Sequence, residues 1–321
     1  MFTRYLLLLA AAVLTLPVQA QNYPNRPIRF VVPFPPGGGT DTVARLIAQP
    51  LAERLKQQII IDNRSGANAI IGTDIGAKAP PDGYTWVFCL PASVSVNPTL
   101  YRNLPYDPAR DFSPVIQLNT IALLLTVANA LPAKNVAELV ALAKAKPGTL
   151  NYASSGNGGA AHLAMALFNA IAGLNMVHIP YKGGGPAMTD LISGQVQIMA
   201  GPMIAAMPHV KSGRVRALAV MSHKRIQGMP DLPTAGETVK GYESSIWHGV
   251  LMPKFVPPAI LRQVNREINE LLKLPEVRER MAGQGAETVG GSPEDFAAWI
   301  KADTEKYSKL LKQIGLAGTE K

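Results

Sequence analysis

The chain has 321 residues, room for two domains of roughly 150 residues each, and its formal net charge is +9, from 31 Lys and Arg against 22 Asp and Glu. A basic chain suits nucleic acid, an acidic membrane surface or small anions. Here Lys and Arg are scattered singly, with no run of four, no aromatic interleaving and no nucleic-acid module, which decides against the first two partners.

Residues 1–20 read as a secretory signal. Arg4 is the positive flank, Leu6 to Leu16 the apolar run, and Val18-Gln19-Ala20 the small-residue cleavage pattern, so cleavage is expected after Ala20. The run is too short for a bilayer span, and no cysteine follows it for lipid anchoring. A periplasmic location follows as the expectation. Cys89 is the single cysteine, so an internal disulfide is impossible. Its setting, Trp86-Val87-Phe88-Cys89-Leu90, predicts a buried strand and an inert thiol.

In the mature chain, apolar runs alternate with helical patterns. Strands are predicted at Ile28 to Phe34, Gln58 to Asp62 and Tyr84 to Leu90, and helices at Asp41 to Lys56 and Ile70 to Lys78. This β-α-β-α-β order is that of a parallel sheet covered on both faces. A Pro-rich irregular passage follows, through Asn97-Pro98, Leu104-Pro105-Tyr106-Asp107-Pro108 and Ser113-Pro114. Ile121 to Val127 is then a strand entering a second lobe. There the alternation resumes, with strands at Leu150 to Ala153, Val177 to Tyr181, Val196 to Ala200 and Val215 to Met221, separated by helices. After the loop at Gly228 to Thr234 come a strand, Ser245 to Met252, and three helices opening at Pro258, Pro275 and Pro293, where a first turn tolerates proline. One strand and three helices do not make a third domain. They are expected to return to the first lobe, so two connections lie side by side and form a hinge.

Two segments carry the functional reading. Val32-Pro33-Phe34-Pro35-Pro36-Gly37-Gly38-Gly39-Thr40-Asp41 is a strand end, a glycine-rich turn and a helix start. Glycines let the backbone approach a ligand, and the free N–H groups of a helix start attract an anion. The same residues also suit a plain turn with Thr40 or Asp41 as N-cap. Leu150-Asn151-Tyr152-Ala153-Ser154-Ser155-Gly156-Asn157-Gly158-Gly159-Ala160 repeats the arrangement in the other lobe, with Ser154, Ser155 and Asn157 adding side-chain hydrogen bonds. Two helix starts across one cleft suit a small carboxylate-bearing molecule. His162 lies just inside the second helix, Lys182 follows a strand end as a charge partner, and Ser93 closes the third strand, where parallel strands form a ligand crevice; each has an ordinary structural reading as well.

Enzyme chemistry finds little support. Gly156-Asn157-Gly158-Gly159-Ala160-Ala161 matches the loose dinucleotide pattern but lacks the acidic residue about 20 positions on. Gly39-Thr40-Asp41 is no phosphate loop, no G-x-S-x-G elbow surrounds Ser154 or Ser155, and the five histidines have no metal-ligand spacing. No cofactor is expected.

These residues are also familiar. Tyr23-Pro24-Asn25-Arg26-Pro27-Ile28, Val31 to Asp41, Asp62-Asn63-Arg64-Ser65-Gly66-Ala67, Pro81-Asp82-Gly83-Tyr84, Pro180-Tyr181-Lys182-Gly183 and Trp247-His248-Gly249 together resemble the Bug, or TctC-type, solute receptors of tripartite tricarboxylate transporters. The resemblance runs from Tyr23 to about Gly315. It implies an α/β two-lobed periplasmic binding protein of type II-like topology, with two crossovers and a ligand cleft at the hinge. Residues 21–122 and 228–321 would form the first domain and 123–227 the second. Implied ligands are di- and tricarboxylates, acidic amino acids and aromatic acids. The implied contacts are the loop Phe34 to Asp41 (Phe34, Pro35, Gly37, Gly38, Gly39, Thr40, Asp41) and Ser154, Ser155, Gly156 and Asn157. Ser93, His162, Lys182 and Met203 line the same cleft by analogy. A monomer that hands its ligand to an integral membrane permease is expected, with presentation to a sensor protein as the alternative. One departure stands out: Gln197-Ile198-Met199-Ala200-Gly201-Pro202-Met203 lacks the Phe and following Asp or Asn seen in many relatives, and Met203 suggests a more apolar tail region.

Overall fold

The computed structural model describes residues 23–37, 39–222, 224–226 and 229–320; the signal segment and Gly38 lie outside the described residues. The first part follows the predicted order: β1 (Ile28–Val32), α1 (Gly39–Leu55), β2 (Ile59–Asn63), α2 (Ile70–Ala77) and β3 (Thr85–Cys89). β1 pairs in parallel with both β2 and β3, from Ile28 opposite Ile59 to Val32 opposite Asn63 and from Arg29 opposite Thr85 to Val31 opposite Val87. Alternate residues Ile28, Phe30 and Val32 bury one face against α1, while Val31, Val87 and Cys89 bury the other.

The Pro-rich passage is more regular than its composition predicts. A π-helical turn (Ala92–Val96), α3 (Asn97–Leu100) and α4 (Pro108–Asp111) lead into β4 (Phe112–Ala128), which begins nine residues before Ile121. Pro114 lies inside β4. The ladder shifts register between Pro114 and Ile116, and a bulge is where a strand accepts a residue without an N–H.

The second lobe contains α5 (Val136–Ala145), β5 (Asn151–Ser154), α6 (Ala160–Ala172), β6 (Val177–Pro180), α7 (Gly184–Ser193), β7 (Ile198–Pro202), α8 (Met203–Lys211) and β8 (Val215–Val220). The chain returns through α9 (Ala235–Thr238), opened by a Thr234/Glu237 capping box, and β9 (Ser245–Pro253), then ends with α10 (Pro258–Leu272), α11 (Pro275–Gly283), β10 (Ala286–Gly290) and α12 (Pro293–Gln313). β10 is not foreseen from sequence. It is five residues long with half its side chains exposed, an edge strand without a strong apolar signature.

One mixed sheet runs β2-β1-β3-β9-β4-β7-β5-β6, with β10 and β8 also on β4. β4 therefore belongs to both lobes: residues up to Ala122 pair with β9 and β10, and Leu123 onward pair with β7 and β8. Along it, Gln117 opposes Gly249, which opposes Cys89 at the end of β3, whereas Leu123 opposes Pro202 at the end of β7. Six residues of strand span about 20 Å. The carboxyl ends of the parallel strands of both lobes thus point toward the same junction from opposite directions.

α10 packs against β1 and β3, where Val264 and Ile268 join Ile28, Phe30 and Trp86 and Arg54 pairs with Glu267 at 3.0 Å. α12 reaches further. Phe296 sits beneath Trp247 in the first lobe, but Tyr307, Leu310 and Leu311 join Leu123, Tyr152 and Phe168 in the second. The final helix spans both.

Candidate functional site

The first turn is held by a carboxylate. Asp41 is 3% exposed and accepts from the Gly37 N–H (2.9 Å), Asn63 Nδ2 (3.0 Å) and Arg45 Nε (2.9 Å). Asn63 Nδ2 also donates to the Phe34 carbonyl (3.0 Å), tying the end of β2 to the turn after β1. Burial alone would raise the Asp41 carboxyl; the hydrogen bonds from Arg45, Gly37 and Asn63 outweigh it and hold the group below the ordinary carboxylate range. The Arg45 guanidinium offsets the negative charge of Asp41 at the helix start. Asp41 is thereby a buried organiser of the turn, while Phe34 is half-buried and Pro35, Gly37 and Gly39 are exposed, with Thr40 between.

α2 approaches the same edge closely. A Cβ on Gly72 would stand 2.8 Å from Pro33 Cα and 2.7 Å from the Arg64 carbonyl, so no larger residue fits. Between β2 and α2, Gly66, Ala67, Asn68 and Ala69 all have positive φ (132°, 46°, 50°, 74°), a strained left-handed run for three non-glycine residues. It is pinned by reciprocal bonds: Asn68 Nδ2 donates to Asn97 Oδ1 and Asn97 Nδ2 to the Asn68 carbonyl, both 2.9 Å. Ser93 is fully buried, and its hydroxyl donates to the Leu90 carbonyl (2.9 Å) and accepts from the Leu90 N–H (3.2 Å), so it closes the turn after β3 rather than facing the crevice.

The second turn is organised by histidines. Ser154 is fully buried; its hydroxyl donates to the Gly156 carbonyl (3.0 Å), accepts from the Gly156 N–H (3.2 Å) and lies 2.6 Å from His178 Nε2. The Ser154 hydroxyl thereby ties the second turn to His178 of β6. The Gly158 N–H donates to His162 Nδ1 (3.0 Å), which requires a neutral ring protonated at Nε2. His162 and His178 stack at 3.8 Å, with Tyr152 5.0 Å from His178. Burial, and then the neighbouring His178, lower His162 to about 4; burial also lowers His178. Gly158 has φ +69°, and a Cβ there would meet Leu100 Cδ2 at 2.9 Å, which sets the second turn directly against the segment following β3. Ser155 and Asn157 are exposed at its crest, with Gly156 half-buried.

Lys182 belongs to this edge. The Tyr181 N–H donates to the Ser154 carbonyl (3.0 Å), so the end of β6 abuts the second turn, and Lys182 is exposed beside it. Met203 is set apart. It packs with the cluster of Leu124, Ala153 and Met199, on the face opposite the one that carries α6, and its Cε lies 3.5 Å from where a Gly285 Cβ would stand. Strand parity explains the difference: α6 and α8 leave the second-lobe sheet on opposite sides.

Ser154 beside His178 has the spacing of a nucleophile and base, but the hydroxyl is wholly buried and engaged with the turn's own backbone. Burial pushes the Cys89 thiol well up, against nucleophilic use. Among the described residues no group of three or more His, Cys, Asp or Glu could hold a metal, and no helix is long and apolar enough to cross a membrane. Asn63, Asn97 and His178 are the residues sequence reasoning passed over; cross-strand register, invisible in one dimension, brings them to the turns.

One glycine-rich turn opens a helix in each lobe, and in them the Gly37, Gly156 and Gly158 N–H groups donate to Asp41, Ser154 and His162. A family described as Tripartite tricarboxylate transporter family receptor matches residues 43–316. The chain belongs to this receptor family. Bordetella pertussis Protein BugT is 37% identical over 311 residues, covering 96% of this chain and 95% of BugT. The R. palustris protein Rpa4515, solved with adipate, superposes with a TM-score of 0.79 at 37% identity over 92% of this chain and 99% of its own. MatC (Rpa3494) from Rhodopseudomonas palustris, solved with bound malate, gives 0.75 at 30% identity over 90% and 100%. The mixed α/β sheet is the architecture of these solved neighbours as well.

Proposed function

We propose that this chain is an extracytoplasmic receptor that closes two lobes on a small carboxylate-bearing molecule and delivers it to a membrane permease, acting by binding rather than by turnover. The observation that carries this reading is the pair of glycine-rich turns at the starts of α1 and α6, presented toward one junction by β4. The lobes comprise residues 21–122 with 228–321, and 123–227, α12 lending its last turns to the second core. Direct contacts come from Phe34, Pro35, Gly37, Gly39, Thr40, Ser155, Gly156, Asn157 and Lys182. Asp41, Ser93, Ser154 and His162 hold the turns in shape behind them. Relatives solved with adipate and malate support a dicarboxylate as the ligand class. Residues 1–20 direct export and are removed after Ala20.

A thermal-shift screen of mono-, di- and tricarboxylates tests the reading, because a ligand that binds only the folded form raises stability by mass action. A dicarboxylate is expected to raise the midpoint. Failure of every carboxylate, with hits only among neutral compounds, would overturn it.

A further inference from the structure

Behind the second turn, between the flank of α6, the Tyr152 and His178 side of β5 and β6, and the segment that follows α12, lies a cavity of about 400 Å³. Asn157 and Gly158 form one end of its wall, and no residue of the first turn lines it. From there it follows one face of α6 through His162, Ala166, Asn169 and Ala170, three or four residues apart, to Leu174 beyond the helix end. Its volume is that of a small-ligand site, not a packing defect.

The lining is chemically selective. Leu100, Ala166, Ala170, Leu174, Ile314 and Leu316 give it apolar walls. Two donors open into it from buried side chains. Tyr152 is 3% and His162 6% exposed, and among the described residues neither the Tyr152 hydroxyl nor His162 Nε2 is hydrogen-bonded within the protein or sealed from the cavity. The Gly158 N–H donates to His162 Nδ1, so Nε2 carries that ring's hydrogen. The two rings lie 6.5 Å apart, within reach of one small molecule. Unmatched buried donors are disfavoured unless something supplies an acceptor. That acceptor should be uncharged. No Lys or Arg lines the cavity, burial lowers His162 to about 4 and so keeps it neutral at pH 7, and Glu320 stands exposed at the rim. An anion here would lose its hydration without gaining a counter-charge, whereas a carbonyl oxygen gains the donors at little cost.

We propose that this flank cavity is a second binding site, for a small, uncharged, largely apolar molecule that carries a carbonyl acceptor. The carbonyl oxygen accepts from Tyr152 and His162, while Ala166, Leu174 and Leu316 cover the apolar body.

Acetophenone, ethylbenzene and benzoate share a ring and differ in the head group: a carbonyl, none and a carboxylate. In calorimetric titration of the mature chain at pH 7.5, acetophenone is expected to bind saturably and about fivefold more tightly than ethylbenzene, the advantage of one hydrogen bond. Tyr152→Phe keeps the ring stack but removes the hydroxyl, and should shrink that advantage. Ala170→Trp fills the cavity away from both turns, and should abolish acetophenone binding while dicarboxylate binding and the unfolding midpoint persist. No saturable binding of acetophenone, or undiminished binding by both variants, overturns the proposal. So does displacement of acetophenone by benzoate, adipate or malate, which would put the probe in a carboxylate site. Dicarboxylate binding without acetophenone binding sinks only the flank site and leaves the receptor reading standing.

Discussion

Acid should loosen this protein through a histidine whose hydrogen bond shapes the second turn. His162 titrates at about 4 in the folded chain and at about 6.5 in an unfolded one. The folded value is the lower, so between those pH values the unfolded chain binds more protons. The stabilisation is complete above about pH 6.5 and is lost as pH falls toward 4. At pH 5.0 the unfolded ring is almost fully protonated and the folded ring about one-tenth, which integrates to about 2 kcal/mol lost relative to pH 7.5. His248, buried beside Phe88 and lowered to about 3, should contribute a similar loss. Urea unfolding at pH 7.5 and 5.0 should therefore show a decrease of at least about 4 kcal/mol in the parent, with His178 adding to it, and a decrease about 2 kcal/mol smaller in His162→Gln. Carboxylate affinity should fall in parallel, since protonated Nδ1 becomes a donor turned against the Gly158 N–H. An unchanged pH dependence in His162→Gln, or a His162 proton titrating by NMR above pH 6, would refute the reasoning.

Other outcomes follow from single residues. Ser155→Trp should abolish carboxylate binding in calorimetry while the unfolding midpoint stays near that of the parent, because Ser155 is exposed at the crest of the turn. Gly72→Val should destabilise by about 3 kcal/mol in urea melts, since Pro33 and the Arg64 carbonyl are backbone and cannot give way. Asn63→Ala should weaken carboxylate binding about tenfold with a smaller effect on unfolding, the turn losing the amide that joins Phe34 to Asp41. Cys89 should react with a thiol reagent only at the rate of global unfolding, being fully buried with a raised pKa.

Much of the architecture was legible because local signals agree with the fold. Alternating apolar runs marked β1 to β3, and Pro258, Pro275 and Pro293 fell at the starts of α10, α11 and α12. The misreadings share one cause. Pro114 read as a break because a bulge, set by β9 across the ladder, is not visible along the chain. β10 was missed because an edge strand needs no strong apolar pattern. At the site, the glycine-rich turns were evident from composition, yet the division of labour within them was not. Asp41, Ser93 and Ser154 have the chemistry of ligand contacts, and only their burial and partners reveal them as supports. Met203 was placed beside the turns by analogy with the family, whereas strand parity packs it with Leu124, Ala153 and Met199 on the other face of the second-lobe sheet.

The shared strand β4 has a consequence for how this architecture can be divided and recombined. Neither lobe's part of the sheet is complete without a stretch of the same 17 residues, and the last helix anchors in both cores. A fragment ending near residue 122 would expose an unpaired strand edge and the apolar side of α12's docking groove. Exchange of one lobe between relatives must carry its half of β4 and the matching end of α12 with it. Ligand preference in such proteins is then expected to diversify by substitution within the turns more readily than by swapping whole lobes.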